Sequence, residues 1–73
     1  MQYSLDVVNT AIADSSQEVE QQRRLVRRLK RNGHDRTDAL HLLEALEMAL
    51  NLHLAERKRL IVEEAKALRK QYP

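Results

Sequence analysis

Residues 29–38 read Leu-Lys-Arg-Asn-Gly-His-Asp-Arg-Thr-Asp, and this stretch decides the fold. Gly33 is the only glycine in 73 residues. Before it come Arg27, Arg28, Lys30 and Arg31, a basic turn of the kind that complements the negative end of a helix. Glycine just past a helix end adopts the left-handed conformation without a Cβ clash and so closes the helix. Asp35 or Thr37 then offers a side-chain oxygen to the first free N–H groups of a following helix. Asp38 adds negative charge to that helix's first turn. Stop, turn and start fall within about six residues, as in a short helix–helix connection. The expected layout is one domain over residues 1–73. Helix one covers about 4–32, the turn is Gly33, His34 and Asp35 (33–35), and helix two covers about 36–70.

Upstream of the turn, Leu5, Val8, Ile12, Ser15, Val19, Gln22, Val26 and Leu29 alternate spacings of three and four. This is the a/d seam of a helix that packs along one side, and Leu25 widens it near the turn. Ser15 and Gln22 are polar flaws in it, costly in stability but able to fix register or partner. Ser15 with Glu18 also fits a capping box, which would make residues 3–14 a separate short helix. The seam stays in phase through Ser15, which favours a single helix.

Downstream, the main stripe reads Ala39, Leu42, Leu43, Leu46, Leu50, His53, Arg57, Leu60, Ile61, Glu64 and Leu68. Tyr72 and Pro73 end the chain. Ala45, Met48, Leu52 and Ala55 lie on nearly the opposite face at about 100° per residue. A helix apolar on two faces touches two neighbours, and a hairpin supplies only one. The second face therefore predicts an oligomer or partner interface. The expected fold class is all-α: a long, coiled-coil-like antiparallel two-helix hairpin that dimerises into a four-helix bundle.

Composition agrees with helices. The chain has no Cys, Trp or Phe, one Pro, and an apolar set dominated by Leu, Ala and Val. A core of this size is marginal, and without cysteine no disulfide can staple it, so oligomerisation is the natural support. The absence of cysteine fits the cytoplasm. The N-terminal residues lack the cationic and apolar regions of a signal peptide, and no apolar run approaches a bilayer span, so no membrane partner is expected.

Charge is near balance at +2 overall, yet strongly segregated. Residues 1–22 hold four acids and no base; residues 57–70 hold six bases against two acids. The start of helix two carries Asp38, Glu44 and Glu47. Antiparallel folding therefore sets opposite signs side by side at both ends, which specifies orientation more than it stabilises. Residues 23–31, RRLVRRLKR, are six-ninths basic. Arg24, Arg27, Arg28 and Arg31 form a candidate polyanion-binding stripe, the alternative function being a nucleic-acid-binding regulator. No aromatic is interleaved to stack bases. Solvation, or acids on a second subunit, is the preferred reading of the stripe.

Catalytic chemistry has little support. Ser15 and Ser16 lack an adjacent base, and one glycine cannot build a phosphate loop. His53 sits on the main stripe as a core or seam group, and His34 covers the turn. Glu56 lies one turn from His53, with no pocket implied by two long helices. Asp38 and His41 have the i, i+3 spacing of a bundle metal motif but lie at the stripe's edge. No catalytic, cofactor or metal residue is expected, and the chain is read as a non-enzyme. The leading function is a small interaction or regulatory protein acting through homodimerisation or helix–helix contact with a protein partner.

Gln22-Arg23, Val26 and Leu29, the Gly33-His34-Asp35 turn, and a Leu-rich second helix with His53 and Arg57-x-Arg59-Leu60 resemble a pattern in small bacterial helical-hairpin proteins. That resemblance implies a helical hairpin and brings no established activity. In architecture the chain is also similar to short hairpins that dimerise into four-helix bundles and modulate plasmid RNA, a likeness of fold alone.

Overall fold

The computed structural model describes residues 4–71. It contains two antiparallel helices, α1 (Leu5–Arg31) and α2 (Thr37–Gln71), packed along their length into a rod 62 × 20 × 15 Å. The all-α hairpin is thus as the turn sequence indicates.

Both boundaries have local chemical causes. Ser4 caps α1, its hydroxyl accepting from the Val7 N–H at 3.3 Å. At the far end Gly33 takes φ 70°. This places the His34 N–H on the Leu29 carbonyl at 2.9 Å and the Gly33 N–H on the Lys30 carbonyl at 3.2 Å. Those two bonds form a Schellman closure, which satisfies carbonyls that the helix end leaves unpaired. Asp35 begins α2: one carboxylate oxygen accepts from the Thr37 N–H at 3.0 Å and the Thr37 hydroxyl at 2.7 Å. Of the two capping candidates, Asp35 therefore supplies the acceptor, and Thr37 is the first helical residue. α1 runs unbroken through Ser15 and Ser16, so residues 5–14 are its first turns and not a separate helix.

Every seam position of α1 faces α2 to some degree. Val8, Val19, Gln22 and Val26 are buried; Leu5, Ile12, Ser15 and Leu29 are half-buried, as is Leu25. On α2 the half-buried set includes Ala39, Leu43, Leu46, Leu50, His53, Arg57 and Leu60, again alternating four and three. Four members of the expected stripe depart from it. Leu42 is half exposed because it sits one position to the side of the Leu43 row. Ile61, Glu64 and Leu68 are exposed because α2 outruns its partner. Val7, Val8 and Ala11 share a recess with His53 and Glu56, so the first turns of α1 lie beside the stretch leading to Leu60. All described residues from Ile61 onward are exposed.

Gln22 is the one buried polar side chain among the described residues. Its Nε2 donates to the Ala39 carbonyl at 2.9 Å, crossing from α1 to the first turn of α2. A buried amide without a partner would be unfavourable by about 1–3 kcal/mol, so this bond favours one longitudinal register. No ion pair joins the helices among the described residues; all four lie within α1 or within α2. The opposite charges at each end are therefore neighbours through the field only.

Candidate functional site

Three surface features carry chemistry, and the first is the apolar outer face of α2. Met48 is 66% exposed and Leu52 70% exposed, one turn apart. Ala45 and Ala55 flank them and are also exposed. The four residues expected at a second interface thus share one open face, away from the Leu43, Leu46 and Leu50 row. The face continues C-terminally into a shallow groove of about 370 Å³ lined by Ala55, Lys58, Arg59, Val62, Glu63 and Lys66. Arg59 organises that end. Its guanidinium donates to Glu63 at 2.6 Å and makes two bonds to Glu56, one of them 3.1 Å long. The bonds from Arg59 hold the Glu56 carboxyl below the usual carboxylate range. The acids at i−3 and i+4 push the Arg59 pKa up. This ladder was readable from spacing alone, since residues three and four apart are helical neighbours.

The second feature is the basic end of α1. Arg24, Arg27, Arg28 and Arg31 come together on one exposed side, joined by Lys30, around a recess of about 560 Å³. Among the described residues Glu20 is the single acid that reaches them, at 3.7 Å from Arg24 and 3.8 Å from Arg27. Both pairs are solvent-exposed and so contribute little to stability. Arg28, Lys30 and Arg31 make no ion pair among the described residues. Asp38, Glu44 and Glu47 at the start of α2 make no ion pair with these cations.

The third feature corrects an expectation. Two long helices do leave a recess between them, about 300 Å³ in volume, where Val7, Val8, Ala11, His53 and Glu56 meet. Three of its walls are aliphatic, and Glu56 is already engaged by Arg59. Ser15 and Ser16 are about two turns further along α1 than Val8. Within the turn, Gly33, His34 and Asp35 are exposed, and Asp35 is committed to Thr37. Thr37's two hydrogen bonds, the backbone one first, hold the Asp35 carboxyl below its usual range. Asp38 and His41 gain no third ligand: no group of three or more His, Asp or Glu gathers for a metal ion among the described residues. None of the described helices is long and apolar enough to cross a membrane.

Comparison with known proteins finds no matching family model, no matching curated protein and no matching solved structure.

Proposed function

We propose that this chain is a small non-catalytic helical interaction protein, working in the cytoplasm through the outer face of α2. A second copy of the chain is the first occupant of that face, and a helix of another protein is the other. The observation that carries the reading is the pair Met48 and Leu52, each about two-thirds exposed on a helix whose opposite side is already packed. Surface area supports it. A compact monomer of 8.5 kDa exposes roughly 4,650 Å². This chain exposes 6162 Å². The excess, roughly 1,500 Å², belongs to the whole rod, the uncovered end of α2 included, and leaves room for the roughly 800 Å² per partner that a stable interface covers. Sedimentation equilibrium at micromolar concentration tests the reading. A concentration-dependent dimer that Leu52→Glu converts to a folded monomer is the expected result. A wild-type chain that stays monomeric and helical defeats self-association.

The basic recess favours a second reading, a nucleic-acid-binding regulator. Five cations against one acid can displace counterions from phosphates, and such binding weakens steeply with salt. A salt titration with generic DNA and RNA tests it. Binding at low ionic strength that disappears in Arg27→Glu with Arg31→Glu supports a polyanion role. Absence of salt-sensitive binding ends it.

A further inference from the structure

The outer face of α2 reads nearly the same in both directions. Along it, Ala45, Met48, Leu52 and Ala55 run small, large, large, small, at spacings of three, four and three. A two-fold axis perpendicular to the helix, level with Leu50, exchanges Ala45 with Ala55 and Met48 with Leu52. Self-complementarity of this kind is what a two-fold dimer interface requires. From it we infer that two copies pair antiparallel through α2, with Ala45 against Ala55 and Met48 against Leu52 of the second copy. This inference rests on the preceding reading that the face takes a second copy.

Three features agree on that orientation and register. The first is the match of apolar positions. Slipping the pair by one heptad in one direction sets Leu52 against His41; slipping it the other way sets Met48 against Arg59. Only the unslipped register covers all four apolar residues with one another. Secondly, parallel pairing would place each residue on its own copy, stacking Arg59 on Arg59 and Lys66 on Lys66. Such like-charge contacts oppose association, whereas antiparallel pairing offsets the basic half of α2 against its acidic half. The third concerns the edge of the seam. In the antiparallel register Glu44 faces Lys58 of the second copy, and the symmetry repeats that pair. Both side chains are exposed, and neither makes an ion pair within the chain among the described residues. Asn51 lies between them beside the axis, where a polar residue meets its own copy without charge.

Small residues at both ends of the seam allow the helix axes to approach toward the short end of the usual 8–10 Å range. That approach makes the geometry testable by disulfides, because the chain has no native cysteine. Ala45→Cys and Ala55→Cys are prepared separately, each checked for helix content, then mixed under reducing conditions and oxidised. The expected product is a covalent dimer in the mixture and little in either variant alone. Within one antiparallel dimer, position 45 is about 15 Å from its own copy, beyond disulfide reach. Efficient cross-linking of Ala45→Cys to itself means a parallel pair and overturns the inference while leaving the dimer reading intact. A sedimenting dimer that cross-links in neither case uses another face and also overturns it. A wild-type monomer fails the dimer reading itself.

Charge reversal supplies a second readout. Glu44 and Lys58 are about 21 Å apart along one helix, too far to interact within a chain. Glu44→Lys alone and Lys58→Glu alone should each weaken self-association about tenfold, and the double variant should recover most of that loss. A double variant as weak as the sum of the singles contradicts the proposed register.

Discussion

At Gly33 the barrier to a side chain is conformational. A Cβ there would meet nothing within 4 Å, yet the backbone sits at φ 70°, where L-residues are strained. Gly33→Ala should destabilise the hairpin by about 1–2 kcal/mol. Gly33→Asn should lose less, because asparagine tolerates this conformation. Urea unfolding of the three proteins checks the order; an alanine variant as stable as the parent would mean that the turn relaxes to another form. Asp35 makes a pH prediction. Its carboxyl is held below the usual range by the Thr37 N–H and hydroxyl, so the cap binds better ionised. A depressed folded-state pKa contributes stability above the unfolded value of about 3.9 and loses it as pH falls through the folded pKa. The stability gap between the parent and Asp35→Ala should therefore be widest near neutrality and close on acidification below about 3.9. A pH-independent gap would contradict the capping role. Both residues are legible in the sequence because their partners lie within four positions. Gln22 is different. Its polarity marks it as a flaw in the seam, but its acceptor, the Ala39 carbonyl, belongs to the other helix, and a backbone acceptor leaves no trace in residue identity.

Adjacent valines separate the two sides of α1 at the level of the element. Val8 is 4% exposed and Val7 51% exposed. Val8→Ala should destabilise by roughly 1–2 kcal/mol, from lost burial and an unfilled space. Val7→Ala should fall within about 0.5 kcal/mol of the parent, helped by alanine's better helix propensity. Comparable losses at both sites would mean that α1 is rotated from the seam described above. The periodicity of α1 identified its inner face at every position, since alternating three and four spacings admit only one buried side. α2 was legible less completely. Leu42, Ile61 and Leu68 suit the stripe by residue type, yet burial depends on where α1 begins, and that is a property of the pair. Among the described residues nothing covers the stretch past Leu60. Its amides, from Val62 to Gln71, should exchange with solvent faster than those around Leu43 to Leu54, as helix turns without packed neighbours do. Uniform protection along α2 would show that something covers the overhang.

The whole molecule has little interior. Its buried apolar side chains among the described residues are three valines, and no large side chain there is fully enclosed. Charge segregation, read as a device for orienting the hairpin, produces no ion pair between the helices among the described residues; the ion pairs there lie along each helix instead. Among the described residues, what orients the hairpin is a five-residue connection, Asn32 to Arg36, and a Leu/Val seam with the Gln22–Ala39 hydrogen bond across it. The surplus apolar surface is concentrated on α2, and its pattern was visible in the sequence as Ala45, Met48, Leu52 and Ala55. Periodicity can show that such a face exists, whereas exposure within a single chain shows that the hairpin leaves it open. The mass in solution tests this account most directly. Sedimentation equilibrium of the parent protein should give about twice the 8.5 kDa chain mass at tens of micromolar, with Leu52→Glu returning it to 8.5 kDa while helix content is kept. A parent chain that stays at 8.5 kDa and folded across that range would contradict it.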